Sequence, residues 1–399
     1  MRGPVADGGF TRREFLGLTA GAAGLGLAPL ARTSPRPAMA ERTDLDGFVR
    51  GQMTAGRLPG LAAAIVRDGE LVWARGYGLA NIPRGLRAGA DVEFMLASVS
   101  KTVTGVAVMQ AVEDGLIGLD ADVNDVLPFE VRNPEFPDDA ITARMLLAHT
   151  AGLRDNWIVL GSIYTPGDSP VSLGEFLAAY LVPGGRHYDA ERNFLSSPPG
   201  GRYQYCNEGV ALAAYLVEAA SGAGFDAWCE ERIFAPLGME QTGWFLRDLD
   251  RSDVAMPYRY VRSEDRYRRY GQYGYPDYPD GQQRAGAGEL ARFLLAFIGL
   301  GQLDGVRILQ EATALEMRRM QFTDVVVGQG LIWYAIHRNG VRLLGHNGGD
   351  SGVATQMFFR ERDGTGVITL ANGDWRRSYG SWPLSRIMDR LLEEADRLG

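Results

Sequence analysis

The sequence predicts a mixed α+β fold, in which one sheet domain is assembled from both ends of the chain and a helical domain is inserted in the middle. Near the amino-terminal end, the β-compatible runs 61–67 and 70–75 are joined by Asp68-Gly69, a dipeptide typical of hairpin turns. Short strand-like runs return between residues 331 and 370, whereas most of the intervening chain has helical periodicity. Strands at both ends with helices between them indicate a single sheet built from the two termini.

Each predicted element depends on a local signal. A first helix is predicted over 45–54, and a second over 98–114, where apolar residues at helical spacing are followed by Gly115 as a stop. The other predicted helices cover 142–149, 173–181, 207–221, 225–233, 288–298, 310–320 and 384–397. The later strands are predicted over 331–338, 341–344, 355–360 and 366–370, with turns at Asn339-Gly340 and Asp363-Gly364.

These elements predict a domain organisation. Residues 41–92 and 300–399 form the sheet domain, and residues 93–299 form the helical domain. The helical part includes a Tyr-rich insertion, 257–283, which we interpret as a wall or lid over a cleft, since long segments in compact domains tend to be functional. The alternative is a solvated connection packed on the surface.

Composition and charge exclude several classes of protein. The 399 residues are 46% hydrophobic and 23% charged, values of an ordinary globular chain and not of a disordered, collagen-like or small disulfide-stapled one. The formal net charge is -8, and no Lys/Arg block follows the first forty residues. A nucleic-acid partner is therefore not expected.

The first forty residues are typical of an export signal. The twin-arginine pattern in residues 11–16 precedes a Gly/Ala/Leu-rich stretch and the small-residue cleavage site Ala38-Met39-Ala40. We therefore predict a signal peptide over 1–40, export by the twin-arginine route to the periplasm or beyond, and no stable membrane insertion once it is removed. A retained anchor helix is the alternative, which the short, Gly-rich stretch disfavours. Because that route carries proteins folded in the reducing cytoplasm, Cys206 and Cys229 are expected to be buried thiols, and a disulfide formed later in an oxidising compartment is the alternative.

Lysine usage is the sharpest feature of the composition. Of the 41 basic residues, 40 are Arg and only Lys101 is Lys. Arg stays protonated in proteins, whereas a buried Lys can act as a base. Ser98 and Lys101 stand three residues apart at a predicted helix start, so they share one face, and the positive helix end favours an alkoxide on Ser98 and a neutral Lys101. The pair is therefore a candidate nucleophile and base, although a capping Ser before a surface Lys is the alternative.

Two later motifs carry further candidates. Tyr205-Cys206-Asn207 opens a predicted helix, where a Tyr oxygen and an Asn amide could both reach a Ser/Lys pair, although a core Tyr beside a helix cap is the alternative. His346-Asn347-Gly348-Gly349 lies in a Gly-rich strand, where a ligand can approach the backbone closely and N–H groups can face an oxyanion. A turn with a hydrogen-bonded His is the alternative there.

The order of the three motifs resembles the signature of the serine β-lactamase and penicillin-binding-protein superfamily, nearest its class C-like branch, over about residues 45–395. The resemblance implies a β-lactamase/transpeptidase-like fold, with an antiparallel sheet flanked by helices and an all-helical domain. It implies that Ser98 is acylated, that Lys101 is its general base or proton shuttle, and that Tyr205 protonates the leaving group and activates the deacylating water.

The resemblance also implies the substrate-binding groups. Asn207 would orient Lys101 and the substrate amide, and the backbone N–H groups of Ser98 and Gly349 would form the oxyanion hole, with His346 and Gly348 on the same strand. No cofactor is implied, and the four His residues show no spacing typical of a metal site.

One position departs from the β-lactamase pattern. His346 stands where a typical β-lactamase has Lys. Because His is mostly neutral near pH 7, weaker electrostatic binding of a substrate carboxylate is expected at this position. Similar proteins of the superfamily with His in this place include esterases, D-amino-acid peptidases and amidases. The resemblance therefore implies a serine hydrolase that forms an acyl-enzyme on a small ester, amide or peptide, as a carboxylesterase or a D-stereospecific peptidase or amidase. A β-lactamase or D-alanyl-D-alanine carboxypeptidase is the alternative, and a non-catalytic protein that binds cell-wall peptides is an alternative of another class. The oligomeric state is open.

Overall fold

The computed structural model describes residues 10–11, 39–374 and 383–398. Most of the signal peptide predicted over 1–40 lies outside these residues. The helices are α1 (Met39–Gly56), α2 (Ser100–Glu113), α3 (Ala143–Leu147), α4 (Trp157–Leu160), α5 (Leu173–Leu181), α6 (Ala190–Asn193), α7 (Asn207–Ser221), α8 (Phe225–Cys229), α9 (Ala235–Leu237), α10 (Ala287–Ile298), α11 (Glu311–Arg318) and α12 (Pro383–Arg397).

The strands are β1 (Phe10–Thr11), β2 (Gly60–Arg67), β3 (Glu70–Asn81), β4 (Leu86–Arg87), β5 (Phe94–Met95), β6 (Thr165–Pro166), β7 (Tyr258–Val261), β8 (Arg266–Arg269), β9 (Tyr273–Gly274), β10 (Arg284–Ala285), β11 (Gln302–Leu303), β12 (Val306–Arg307), β13 (Tyr334–Arg338), β14 (Val341–Asp350), β15 (Val353–Arg360) and β16 (Gly366–Ala371).

Seven of these strands form the main sheet, in the order β13-β14-β15-β16-β2-β3-β4, and every neighbouring pair is antiparallel. Strands from the two ends of the chain meet where β16 pairs with β2, with Thr369 opposite Ala63. The predicted α+β fold, with an antiparallel sheet assembled from both termini, is therefore confirmed.

The predicted hairpin joins β2 to β3. Its turn residues Asp68 and Gly69 have φ values of 51° and 82°. Two successive residues with positive φ give a turn whose twist matches that of the paired strands, and Asp and Gly adopt this conformation at low cost. The local sequence thus specifies the turn that joins these two strands.

Two layers of helices cover the sheet. Alternate residues of β2 point to opposite faces: Leu61, Ala63 and Ile65 pack with α1 and α12, whereas Ala62, Ala64 and Val66 belong to the larger core that includes α10. This two-residue alternation, with both faces apolar, is what a central strand buried on both sides requires.

Helix α2 lies in the middle of the helical part of the molecule. All its residues from 100 to 111 are buried, and it packs against α7. A helix that is buried on every side needs no polar face, and the buried residues of α2 accordingly lie all around the helix. The core around α2 fixes the position of the residues at its amino-terminal end.

Some predicted boundaries differ from the structure. The strand predicted over 331–338 begins at Tyr334, because Ile332 has φ 66° and donates its N–H to the Leu147 carbonyl in a buried bend. The strand predicted over 341–344 continues to Asp350, because its glycines stay paired with β15. The helix predicted over 225–233 changes to a π-helical turn after Cys229.

Candidate active site

Ser98 lies in a sharp turn between a strand and a buried helix. It follows β5 in a 3-10 turn over Ala97–Val99 that leads directly into α2, and it is partly exposed. Ala97 has φ 47°, a left-handed conformation that costs energy for a residue with a side chain. The preceding Leu96 is fixed on both sides, since its N–H donates to Gln283 and its carbonyl accepts from Thr355 Oγ1 at 2.6 Å. The turn is therefore held rigidly against the sheet.

Lys101 lies beneath Ser98 in the first turn of α2 and is fully buried. Its Nζ is 3.1 Å from Ser98 Oγ and donates to the Asp280 carbonyl at 2.5 Å. It also lies 3.8 Å from the Asp280 carboxylate and forms a side-chain hydrogen bond with Tyr205. The predicted sharing of one helix face by Ser98 and Lys101 is thus what the structure shows.

The electrostatic balance at Lys101 differs from the expectation of a neutral amine. Burial by itself lowers the pKa of Lys101, but the neighbouring Tyr205 and Asp280 raise it, and the net pKa lies above the ordinary value. In the resting site the interactions with Tyr205 and Asp280 thus favour the protonated amine, in contrast to the neutral amine expected from the helix start.

Tyr205 faces the same pair from the segment before α7. Its hydroxyl forms side-chain hydrogen bonds with Ser98 and Lys101, and its ring centroid lies 5.3 Å from Lys101 Nζ. Burial raises the pKa of Tyr205, while Lys101 and Ser98 lower it in part. The ring packs on His149, with centroids 4.4 Å apart. The structure therefore brings Ser98, Lys101 and Tyr205 into one hydrogen-bonded group.

Asn207 is held by an acidic residue that sequence reasoning missed. Asp155 accepts the Asn207 backbone N–H at 2.7 Å and its side-chain Nδ2 at 2.8 Å. Asp155 thereby caps the start of α7 from a distant loop, and no local motif identifies such a long-range cap. The Asn207 amide nitrogen thus contacts Asp155, while the hydrogen bonds of Lys101 go to Ser98, Tyr205 and Asp280.

His346 is neutral and buried. Its Nδ1 lies 2.6 Å from the Asn347 carbonyl oxygen, which assigns the proton to Nδ1, and the buried Nε2 has no hydrogen-bond partner. Burial, with a smaller contribution from Lys101, lowers the pKa of His346 to about 3. The ring centroid is 6.2 Å from that of Tyr205. This position therefore carries no positive charge near neutral pH.

The glycines of β14 allow this strand to lie against the Ser98 turn. A side-chain carbon on Gly348 would lie 2.3 Å from Thr355 Oγ1, 2.5 Å from the Leu96 carbonyl oxygen and 2.9 Å from the Ser98 backbone nitrogen. Gly349 lines the same cavity as Ser98. Only a residue without a side chain fits this close approach.

A narrow cavity of about 60 Å³ opens beside Ser98. The described residues that line it are Ala97, Ser98, Trp157, Leu160, Tyr164, Asn207, Tyr275, Asp277, Asp280, Gly281, Gly349 and Asp350. Four of them belong to the Tyr-rich insertion 257–283, in which Tyr273, Tyr275 and Tyr278 are also buried. The second half of the insertion is thus a wall of the cavity, whereas its first half, with the hairpin of β7 and β8, includes exposed residues at the surface.

Several lining residues gave no signal in the sequence. Trp157 is the first residue of α4, Tyr164 follows that helix, and Asp350 is the last residue of β14. Among the described residues, no group of three or more His, Cys, Asp or Glu side chains is arranged to hold a metal ion. Cys206 and Cys229 are buried free thiols, and no helix in the described part of the chain is long and apolar enough to cross a membrane.

The chain is similar in sequence and in fold to several known proteins. Penicillin-binding protein 4 of Amycolatopsis lactamdurans is 28% identical over 338 residues, which cover 82% of this chain and 84% of that protein. Esterase EstB of Burkholderia gladioli is 31% identical over 240 residues, 58% of each chain. The solved structure of D-amino acid amidase from Ochrobactrum anthropi SV3 with D-phenylalanine has a TM-score of 0.70 at 20% identity, covering 89% of this chain and 99% of that one.

A family model described as Beta-lactamase matches residues 45–380. This range includes Ser98, Lys101, Tyr205 and His346, together with the strands from both ends of the chain. The chain therefore belongs to the beta-lactamase family and is a serine hydrolase of that family.

Proposed function

We propose that the protein hydrolyses small esters or amides through an acyl-enzyme on Ser98, as a carboxylesterase or a D-stereospecific peptidase or amidase. The observation that carries the proposal is the hydrogen-bonded group in which Lys101 Nζ lies 3.1 Å from Ser98 Oγ and Tyr205 bonds to both side chains. A nucleophile with a proton acceptor in hydrogen-bond reach is the arrangement that covalent hydrolysis needs.

Proton transfer in this site involves Lys101 and Tyr205 together. In the resting site Lys101 is an ammonium and Tyr205 is a neutral phenol. The pair can therefore accept the Ser98 proton only after it has lost one of these protons to solvent. Ser98 Oγ then bonds to the substrate carbonyl carbon while its proton passes to the pair. The pair returns this proton to the leaving alcohol or amine as its bond to carbon breaks. Deacylation repeats the sequence with water as the nucleophile, and Ser98 regains its proton.

The backbone at Ser98 and Gly349 is suited to stabilise the oxyanion. Both residues line the cavity, and β14 is fixed against the Ser98 turn through Gly348. Preorganised N–H donors that face the developing negative charge contribute a large part of the rate of acyl transfer. We assign this role to the N–H groups of Ser98 and Gly349.

The neutral His346 favours esters and simple amides over β-lactams. A penicillin or a cell-wall peptide presents a carboxylate, and no positive charge is available at this position to bind it, because the pKa of His346 is about 3. The relatives and structural neighbours named an esterase, a D-aminopeptidase and a D-amino acid amidase support the same substrate classes. A β-lactamase remains the second candidate because the family and the penicillin-binding relative suggest it.

The test is hydrolysis of a short-chain aryl ester, a D-alanyl anilide and a chromogenic cephalosporin by the wild-type protein and two variants. We expect Ser98→Ala to abolish turnover. Ser100→Ala is the matched control, because Ser100 is buried two residues away and its hydroxyl has no hydrogen-bond partner. Turnover led by the ester indicates a carboxylesterase, turnover led by the anilide indicates a D-peptidase, and rapid cephalosporin turnover favours the β-lactamase.

A serine-directed covalent probe separates an enzyme from a binding protein. We expect labelling of the wild-type chain and of Ser100→Ala, and none of Ser98→Ala. Labelling that persists in Ser98→Ala contradicts the assignment of the nucleophile. No labelling of the wild-type protein, with no turnover on the panel, favours the non-catalytic alternative.

We also propose that the protein is exported with removal of residues 1–40. The support is the twin-arginine pattern and the small-residue cleavage site in the sequence. Replacing Arg12 and Arg13 with Lys is expected to retain the uncleaved chain in the cytoplasm, as measured by cell fractionation and mass spectrometry of the amino terminus. Export of the double variant at the wild-type level contradicts the proposal.

A further inference from the structure

A short turn of the Tyr-rich insertion is fixed against the start of α2. The 3-10 turn Tyr278–Asp280 packs on this helix, and Lys101 Nζ donates to the Asp280 carbonyl oxygen at 2.5 Å. Three residues further along the helix, Thr104 Oγ1 donates to the Pro279 carbonyl oxygen at 2.6 Å. Two hydrogen bonds from one helix therefore hold the main chain of Asp280 in a single position relative to Lys101.

The Asp280 carboxyl group faces the same amine. Its Oδ2 lies 3.8 Å from Lys101 Nζ, and within the described residues no other carboxylate comes within 4 Å of this nitrogen. The Lys101 side chain is 1% exposed, whereas that of Asp280 is 10% exposed and lines the cavity beside Ser98. Charges interact more strongly where water is excluded, so the protonation of each group depends on the other.

Tyr205 does not supply the negative charge that an ammonium requires. Burial raises the pKa of Tyr205, so its hydroxyl stays protonated near neutral pH and contacts Lys101 as a neutral group. A buried ammonium without a counter-charge is costly, and Asp280 supplies the carboxylate. Burial lowers the pKa of Lys101, whereas its acidic neighbours, Tyr205 first and then Asp280, raise it above the usual value. Burial raises the pKa of Asp280, whereas Lys101 lowers it in part, so the ionised forms of the two residues stabilise each other.

Other titratable side chains surround the pair. The acidic ones that interact electrostatically with Asp280 are Asp155, Tyr164, Glu208, Tyr275, Asp277 and Asp350. His149 and His346 are affected by the charge of Lys101, and burial lowers the pKa of both, so they are neutral near pH 7. In the described part of the chain, the other carboxyl groups lie more than 4 Å from the Lys101 amine, so their charges act on it more weakly than that of Asp280.

We propose that Asp280 is a positioning residue for Lys101: its main-chain carbonyl fixes the amine, and its carboxylate determines how readily the amine gives up its proton. The inference rests on the proposed function, in which the Lys101–Tyr205 pair accepts the Ser98 proton after losing one of its own. The carboxylate stabilises the ammonium and so delays that loss to higher pH. Removing the carboxylate should therefore move the acidic limb of kcat/KM to lower pH.

The charge of Lys101 can be measured directly, because it is the only Lys in the chain. Protein labelled with ¹³C at the lysine ε carbon gives one side-chain NMR signal, whose shift reports the protonation of this amine. Asp280→Asn removes the negative charge but retains the main-chain carbonyl and nearly the same side-chain shape. We expect Lys101 in this variant to titrate at least about one pH unit below the wild type, the effect of one nearby opposite charge. Coinciding titrations, or an amine that stays protonated wherever both proteins are folded, overturn the proposal.

Asp350→Asn is the matched control, because it makes the same chemical change in the same cavity. The Asp350 carboxylate accepts the Ser351 N–H at 2.6 Å and the Tyr164 hydroxyl at 3.0 Å. We expect this variant to show less than half the shift of Asp280→Asn. An equal shift overturns the proposal, because the effect then belongs to the total charge of the cavity. If Asp280→Asn does not fold, as judged by thermal unfolding, Asp280→Ala replaces it, since Ala also retains the main-chain carbonyl.

The pH profile of kcat/KM gives the catalytic consequence, measured on the best substrate for the wild-type protein and for Asp280→Asn. The acidic limb should move to lower pH by about the shift found by NMR. A rate that falls while the limb stays in place indicates a merely structural role and overturns the proposal. Absence of Ser98-dependent turnover in the wild-type protein refutes the proposed hydrolysis instead, and the NMR titration still decides whether Asp280 controls the charge of Lys101.

Discussion

Replacing Gly348 with Ala tests whether the contact between β14 and the Ser98 turn sets the catalytic geometry. The added carbon would lie 2.3 Å from Thr355 Oγ1, 2.5 Å from the Leu96 carbonyl oxygen and 2.9 Å from the Ser98 backbone nitrogen. Ordinary contacts of such a carbon begin at 3.4 Å. The strand and the turn must therefore separate by about 1 Å, because two of the three opposing atoms belong to the backbone and the third belongs to a side chain that is hydrogen-bonded to the Leu96 carbonyl.

The expected effect on rate follows from this displacement. A shift of about 1 Å between reacting groups costs about 100-fold in rate, and loss of one oxyanion donor costs about 100- to 1000-fold. We expect kcat/KM of Gly348→Ala on the best substrate to fall by at least about 100-fold. Overpacking of the sheet should also lower the free energy of unfolding by about 1–3 kcal/mol.

The assay combines steady-state hydrolysis with urea unfolding at one temperature. Gly51→Ala is the matched control, because Gly51 lies in α1 with no atom within 4 Å of an added carbon. This control should retain wild-type kcat/KM. A folded Gly348→Ala protein whose kcat/KM lies within threefold of wild type would refute the assignment of this contact to the oxyanion site.

Three further predictions concern pH and stability. Because the pKa of His346 is about 3, its ring should not titrate between pH 5 and 9. The pH profile of kcat/KM for His346→Gln should therefore have the same acidic and basic limbs as the wild-type profile. A limb that is lost only in this variant would contradict the neutral ring. Burial raises the pKa of Glu93 to about 7, so the folded protein loses stability as pH rises from the unfolded pKa near 4.5 through 7. In urea unfolding, Glu93→Gln should therefore be more stable than wild type, on the order of 3 kcal/mol at pH 8.5 and little at pH 4. An equal difference at both pH values would show that this carboxyl does not titrate as described. Asp155→Ala removes the acceptor for Asn207 at the start of α7, and thermal unfolding should show a free energy of unfolding lower by about 1–3 kcal/mol. An unchanged free energy of unfolding would mean that this cap is energetically neutral.

Local patterns in the sequence were sufficient for the elements that depend on near neighbours. The hairpin at Asp68-Gly69 forms because the turn residues themselves adopt the required positive φ values. The helix predicted over 207–221 has the bounds of α7, with Gly222 in a left-handed conformation at its end. The predicted proximity of Ser98 and Lys101 also depends only on near neighbours, because residues three apart at a helix start share a face in any surroundings.

Predictions were less accurate where distant contacts decide the structure. The strand predicted to end at Leu344 continues through the glycines to Asp350, because β15 supplies a complete ladder that offsets the low strand propensity of Gly. The expectation of a neutral Lys101 considered only its burial and its place at the helix start. It omitted Asp280, which is 179 residues away in the chain and adjacent in space.

The sequence by itself determined the α+β class, the order of the three motifs and the pairing of Ser98 with Lys101, since composition, periodicity and short spacings are local properties of the chain. Only the tertiary structure decided the environment of the site: the Asp155 cap, the neutral His346 and the acidic cavity with Asp277 and Asp350. The physical reason is that burial and charge–charge distances arise from packing segments far apart in the chain, and these two quantities set the protonation and the ligand preference of the groups around Ser98.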